Sequence, residues 1–386
     1  MDNLTHSLAG LVLAKSGLER LSPAATPLCV VVANAPDFDI LTLVTGDRWV
    51  YLHHHRGITH SIVGLLALIV LIPAIFLAVD FAIARLRKRP PRLRYRGLLL
   101  ASFIAGVSHP LMDWTNNYGI RPFLPWSGKW FYGDLVFIID PFMWIVLGGA
   151  GFLLTSKSRW QIIFWSALAL VLTGAVLFLP QQREAIPYVG VFRVVWVLIL
   201  AGIFPARRAR TGDRLRQSLA LAACGLVIFY WASLGVAHSL AYSRAQEHAR
   251  QIAALHGETV SRVAAMPTLA NPFNWQCIFD TDRATYRFRI SLIGALRSSS
   301  IFERFEKPKP NELPAVSLAA EDARAKIFLG FARFPGAQVT DVDCVTQTVV
   351  HFADLRYTEP GGERRGTFAL DVPITCSPAA NPSEVK

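Results

Sequence analysis

Two uninterrupted apolar runs, Trp160 to Gln182 and Gln217 to Ser243, contain no Asp, Glu, Lys or Arg. Each is long enough to cross about 30 Å of hydrocarbon at roughly 1.5 Å per residue, a length that excludes most soluble architectures. Further runs follow the same pattern at Ile58 to Val79, Gly97 to Met112, Leu135 to Ser156 and Tyr188 to Phe204, with two shorter ones at Leu4 to Leu18 and Ala24 to Pro36. The expectation is a mostly α polytopic bundle of about eight membrane helices. Composition agrees: 53% of the residues are hydrophobic and 17% charged, against about 25% charged in ordinary soluble domains.

The net charge of +12 would suit a nucleic-acid partner if it formed a patch on a soluble domain. Instead the basic excess lies among the apolar segments, where it reports membrane orientation, and no nucleic-acid partner is expected. Lys and Arg crowd Arg85 to Arg96 and Arg207 to Arg216 and thin out in Thr115 to Asp134 and Pro180 to Pro187. The dense loops are therefore read as cytoplasmic. With an even helix count both termini lie outside, in the periplasm of a Gram-negative cell. The chain opens Met1-Asp2-Asn3 without a basic leader, so no cleavable signal peptide is expected.

The sequence divides into a membrane region, 1–239, and an extracytoplasmic α+β domain, 240–386. In the latter a helix is expected over 240–262 and another over Glu321 to Phe334. Hairpins are expected at Trp275 to Leu292 around Asp280-Thr281-Asp282, and around Glu359-Pro360-Gly361-Gly362. Cys277, Cys344 and Cys376 allow one disulfide without fixing its pair.

An ionisable side chain in or beside a membrane helix is costly enough to mark function. These residues gather in the first 140 positions: His6, Asp37 and Asp39, then His53, His55, Arg56 and His60, then His109 and Asp113, then Asp134 and Asp140. In the topology above each group falls at the external end of its helix. His109 and Asp113 stand four apart, on one helix face and within reach of one ion. Imidazole and carboxylate donors without nearby thiolates suit a divalent metal, zinc first, with manganese or iron also compatible. His6, Asp37, His60, His109 and Asp113 are the expected ligands, with His53 and His55 next. Asp39, Asp134 or Asp140 would accept a proton from water, and Arg56 would pair with a phosphate oxygen.

Met1-Asp-Asn-Leu-Thr-His6-Ser, Asn34-x-Pro-Asp37-x-Asp39, His55-Arg56-Gly57-x-Thr59-His60-Ser61 and His109-Pro110-x-x-Asp113 occur in order. Together they resemble the inner-membrane metal-dependent hydrolase family of the YdjM type, which is LexA-regulated. Trp130-Phe-Tyr132-Gly133-Asp134, Asp140-Pro141 and Asn271-Pro-Phe-Asn-Trp275 resemble its longer members, which carry an added soluble domain. A weaker similarity is to zinc-dependent phospholipase C, from which the chain departs by lacking a second His-x-x-x-Glu/Asp pair after Asp113. The resemblance implies a metal site in a bacterial inner-membrane protein. The function expected is hydrolysis of an ester or phosphodiester by metal-activated water, with membrane lipids as partners and a lipid or lipid-linked envelope molecule as substrate. The alternative is a non-enzymatic metal-binding or envelope-organising protein.

Overall fold

The computed structural model describes residues 1–178, 189–207, 213–293, 302–340, 347–362 and 368–375. Contacts along the backbone divide the chain into two units. The first comprises Met1–Asp39, Arg56–His238 and Pro267–Pro272; the second comprises Ile40–His55, Ser239–Met266 and Phe273–Lys386.

The first unit is helical: α1 (Asn3–Lys15), α2 (Ala25–Asn34), α5 (Ile62–Leu86), α6 (Tyr95–Trp114), α7 (Pro141–Thr155), α8 (Arg159–Leu177), α9 (Val189–Ala206) and the start of α10 (Asp213–His256). Every apolar run read from the sequence is thus a helix, but length separates them. Among the described residues, four stretches are long and apolar enough to cross a membrane: Ala25–Thr45, Ile62–Leu86, Arg159–Leu177 and Arg214–His256. Eight crossings are therefore more than length and composition support. At 13 residues, α1 spans only about 20 Å, and α2, at 10 residues, reaches crossing length only together with the turns that follow it to Thr45. Both bury apolar faces within the unit. Ala14, Leu28, Cys29 and Val32 pack with Ile72 of α5 and Leu98, Ala101 and Ala105 of α6. Leu8 and Val12 pack with Met143, Leu147 and Leu154 of α7 and with Ala220 and Ala223 of α10.

Small residues set the closest approach. A Cβ on Gly10 would stand 2.6 Å from the Cys29 carbonyl oxygen, so glycine is what lets α1 lie on α2. The basic loop after α5 is tied back by Asp80, a buried carboxylate that accepts from Arg89 Nη2 at 2.8 Å and from the backbone N–H groups of Arg92 and Leu93. The start of α7 is later than the apolar run predicts. Asp140 caps it, accepting from Phe142 N and Met143 N at 2.8 and 3.1 Å, and Pro141 occupies its first turn.

The second unit holds a four-stranded sheet, β1 (Val260–Thr268), β2 (Asn271–Thr281), β3 (Ala284–Ser291) and β4 (Glu303–Glu306), and a three-stranded sheet, β5 (Pro335–Thr340), β6 (Gln347–Asp354) and β7 (Ala369–Thr375). The hairpin expected around Asp280 to Asp282 is the β2–β3 pair, with Cys277 opposite Phe288 and Phe279 opposite Tyr286. β6 and β7 pair antiparallel across the second expected turn. The helix expected over 240–262 ends at His256, because Gly257 takes a left-handed φ of 61° and β1 follows. The helix expected from Glu321 is α12 (Ala323–Phe331), preceded by α11 (Leu313–Ala320). Cys277 is buried and free, while Cys344 and Cys376 lie outside the described residues.

Two short helices from the first part of the chain, α3 (Thr42–Thr45) and α4 (Arg48–His54), belong to this unit. The reason is local. Trp49 of α4 is buried and meets Phe328 of α12 edge-on, ring centroids 6.3 Å apart, and Phe328 is itself fully buried.

Glu258 ties the strands together, accepting from Arg304 Nη2 at 2.6 Å, Thr281 Oγ1 at 2.8 Å and Tyr286 Oη at 3.0 Å. Burial alone would raise its pKa, but the hydrogen bonds from Arg304, Thr281 and Tyr286 outweigh it and hold the carboxyl below its ordinary 4.5. A carboxyl whose pKa is lower folded than unfolded stabilises the fold fully above the unfolded value. That contribution is lost as pH falls through the folded one. Melting of the full chain, followed on this unit, is expected to fall as pH drops below 4.5, and Glu258→Gln to flatten that dependence; parallel pH profiles would contradict the assignment.

Candidate metal centre

Four helix ends meet in the first unit. His6 lies on the second turn of α1; Asp37 and Asp39 follow the last turn of α2; His60 immediately precedes α5; His109 and Asp113 close α6. Asp37, His60, His109 and Asp113 are buried, and their ligand atoms all lie within 4.8 Å of one another.

The individual separations are more informative. Nε2 of His60 is 3.1 Å from Nε2 of His109, 3.3 Å from Oδ1 of Asp37 and 3.3 Å from Oδ2 of Asp113. Nε2 of His109 is 3.6 Å from Asp37 Oδ1 and 3.4 Å from Asp113 Oδ2. Zinc–nitrogen and zinc–oxygen bonds of about 2.0–2.1 Å generate tetrahedral edges of roughly 3.3–3.4 Å. Five edges of this set therefore match a tetrahedron built around one small cation.

The protonation pattern agrees. The Ala33 carbonyl oxygen lies 2.7 Å from His109 Nδ1 and can only accept, so Nδ1 carries the proton and Nε2 presents a lone pair inward. Nδ1 of His60 faces Thr59 Oγ1 at 3.2 Å and Asp39 Oδ2 at 3.5 Å, the carboxylate–imidazole arrangement that orients a metal-ligating histidine. Two imidazoles and two carboxylates thus converge electron pairs on one point, and Oδ2 of Asp37 and of Asp113 accept no hydrogen bond although both are buried. Such a set is strongly repulsive without a cation at its centre. The residues present fit a divalent ion.

Around the four stand three residues that orient them. Arg56, buried and with a left-handed φ of 51°, donates from Nη2 to Asp113 Oδ1 at 3.0 Å. From Nη1 it donates to Asn116 Oδ1 at 2.9 Å, the Gly119 carbonyl at 3.0 Å and the Asp113 carbonyl at 3.4 Å. Its guanidinium carbon lies 4.7 Å from the Tyr118 ring centroid. Both terminal nitrogens are thereby committed to protein acceptors, unlike the open phosphate fork expected from sequence. Asp39 Oδ2 accepts from Arg56 N at 2.9 Å, linking the His60 and Asp113 supports. His6 stacks on His109 with ring centroids 3.8 Å apart and places Nε2 3.4 Å from Asp113 Oδ1. The α-amine of Met1 touches the same oxygen. His6 is therefore beside the four ligands rather than one of them, with neither ring nitrogen hydrogen-bonded.

The remaining sequence-derived residues lie elsewhere. His53 and His55 fall in the second unit, where His53 meets the His54 ring and His55 stacks on Tyr51. Asp134, with φ 54°, lies in the loop whose Gly133 and Leu135 N–H groups bond the Trp114 and Thr115 carbonyls beside the end of α6. Asp140 is committed as the cap of α7 and accepts from Tyr230 Oη at 2.9 Å. Asn116 and the Ala33 carbonyl escaped sequence reading; an amide three residues after Asp113 was a faint signal, a backbone oxygen none.

Because one ammonium cannot reach four acceptors arranged around a planar guanidinium, Arg56→Lys is expected to lower metal affinity about ten- to a hundredfold, the usual effect of losing an orienting partner. Metal titration of the purified variant measures this; unchanged affinity would leave Arg56 without a part in the centre.

Comparison with known proteins bears on the same stretch. Residues 1–181 match the family model of the YdjM inner membrane protein, so the resemblance read from the motifs holds over the region that contains all four candidate ligands. A Bacillus subtilis (strain 168) protein described as "Uncharacterized protein YfhP" is 32% identical over 155 residues, which cover 38% of this chain and 43% of that protein. The chain thus matches less than half the length of that relative. No solved structure matches. The family match and the apolar helices together support an inner-membrane protein.

Proposed function

We propose that this is a multi-pass inner-membrane hydrolase which uses a divalent ion, zinc first, held by Asp37, His60, His109 and Asp113, to cleave an ester or phosphodiester of a lipid or lipid-linked envelope substrate. The observation that carries the proposal is the buried tetrahedron of inward-facing donors. When bound, such an ion lowers the pKa of water toward 7 and polarises a scissile oxygen. The protein's own part is to hold the ligands and to manage a proton. Arg56 fixes Asp113, Asp39 orients His60, and the Ala33 carbonyl orients His109. Asp37 is the least buried ligand, 8% exposed where His60 is 1% and His109 and Asp113 are 0%. Its Oδ2 is buried and accepts no hydrogen bond, which leaves its lone pairs free for an ion or for the proton of a water bound to it.

One observation favours the non-enzymatic reading: four protein side chains already fill the tetrahedron, whereas catalytic zinc sites usually leave a position to water. Turnover decides. Detergent-purified full-length protein, analysed for bound metal, is assayed on bis(p-nitrophenyl) phosphate, p-nitrophenyl butyrate and phosphatidylglycerol vesicles, with and without chelation and zinc repletion. Hydrolysis lost on chelation and restored by zinc supports the enzyme; stoichiometric metal without turnover of any of the three supports the binder.

α5 runs from beside His60 to the basic loop Arg85–Arg96, and α6 runs from that loop to His109 and Asp113. Under the positive-inside rule the metal centre therefore lies at the external end, and an even number of crossings puts the second unit outside as well. A cysteine at exposed Ser127 is expected to react with an impermeant maleimide in intact cells and one at exposed Lys88 to resist it. The reverse pattern would move the chemistry to the cytoplasm.

A further inference from the structure

Helices α7, α8 and α9 enclose a half-open cavity of about 100 Å³, several times the volume one water requires. Its walls include Trp144, Phe152, Trp165, Trp196 and Phe204, with Ser166 as the polar exception. Three of these are tryptophans, and each indole N–H is already spent: Trp144 on Asp2 at 3.2 and 3.3 Å, Trp165 on Thr155 Oγ1 at 2.8 Å, Trp196 on Thr173 Oγ1 at 3.0 Å. What faces the space is ring surface with no donor left to offer, so a polar occupant would lose its hydrogen bonds on entry. α8 is one of the candidate spans and α7 and α9 are apolar. Alongside the cavity, α8 and α9 expose Phe164, Val171, Val194 and Leu198, surfaces that match hydrocarbon and join the cavity to the lipid phase.

The cavity is also tied to the metal centre. Asp2, which receives the Trp144 N–H, caps α1 by accepting from Thr5 N at 3.0 Å and Thr5 Oγ1 at 2.7 Å. One turn further on, His6 lies against Asp113. From Trp144 to Phe152 the cavity follows α7 for about 12 Å, leading away from that end.

We infer that this half-open cavity binds a short segment of one acyl chain of the membrane lipid whose head group is presented to the metal centre. The inference rests on the hydrolase reading for its biological meaning, but its test is separate. Full-length protein is reconstituted in phosphatidylethanolamine–phosphatidylglycerol vesicles containing a phosphatidylglycerol with a mid-chain diazirine, irradiated, and mapped by mass spectrometry. Adducts are expected to concentrate on Phe152, Trp165 and Phe204 and to fall severalfold in Gly148→Leu. A Cβ at Gly148 meets only Leu8 Cδ1, at 3.7 Å, so its side chain has room to start and then fills the cavity. Unchanged metal content certifies the fold, and Ala169→Phe, from another wall, provides an independent filling. Adducts spread evenly over Phe164 and Val171 as well, and unaffected by either filling, would overturn the inference as ordinary boundary lipid. Cavity adducts in a wild-type protein that hydrolyses nothing would uphold the chain site while removing the hydrolase reading.

Discussion

Asp113→Ala is expected to empty the metal centre and to destabilise the helical unit at the same time. The carboxylate does two jobs with its two oxygens: Oδ2 faces His60 and His109, and Oδ1 receives Arg56 Nη2. Losing the first should reduce metal affinity by more than the roughly ten- to hundredfold of an orienting residue. Losing the second leaves a guanidinium buried beside no counter-charge, at a cost of about 3–5 kcal/mol. His109→Ala separates the effects, since it removes a ligand but leaves the Arg56–Asp113 pair intact. Metal content and thermal unfolding in detergent are the measurements. In the wild type, chelation should lower the melting temperature because an ion bound only to the folded state stabilises it; in His109→Ala it should not. Full occupancy in either variant would remove the pair from the coordination set.

A second large effect is expected far along the chain. Phe328→Ala should cost about 3–5 kcal/mol in the second unit, the usual range for emptying a buried aromatic site, because Phe328 is fully enclosed and supports Trp49. The segment it anchors, Ile40–His55, begins one residue after Asp39 and ends one residue before Arg56. Metal affinity is therefore expected to fall along with stability in this variant. Unfolding monitored by tryptophan fluorescence, paired with metal titration, checks both; lost stability with unchanged affinity would show that the segment is slack between its ends.

The convergence of Asp37, His60, His109 and Asp113 was largely legible because membrane burial makes ionisable side chains conspicuous, and because the four-residue interval between His109 and Asp113 converts directly into a shared helix face. His53 and His55 carried the same chemical signal but a different fate. Nothing in His-His-His-Arg says that the preceding Trp49 will pack on a helix almost three hundred positions later and take its neighbours along. Asp140 was legible as a cap rather than a base, since Asp-Pro is a helix-start signature; its acidity drew the reading elsewhere. The count of eight spans went beyond what length and apolarity carry among the described residues. α1 holds an apolar run because it buries Leu8 and Val12 against other helices, and hydropathy does not distinguish a protein neighbour from a lipid one. Arg56 was found by position, but its partners besides the Asp113 carboxylate, the Asn116 amide and the carbonyls of Gly119 and Asp113, became visible only in three dimensions.

The pairing of Trp49 with Phe328 imposes an order of events on biosynthesis. Every metal ligand has been translated once Asp113 emerges, yet the segment joining Asp37 to His60 waits for a partner about 280 residues downstream of Trp49. At roughly 5–20 residues per second that delay is on the order of 15–60 s. Throughout it, Trp49 lacks its partner on α12, and the arms carrying two of the four candidate ligands are joined by an unanchored tether. A nascent chain stalled before residue 328 is therefore expected to be isolated metal-poor although its candidate coordination set is already complete, and equal metal content in stalled and finished chains would contradict this.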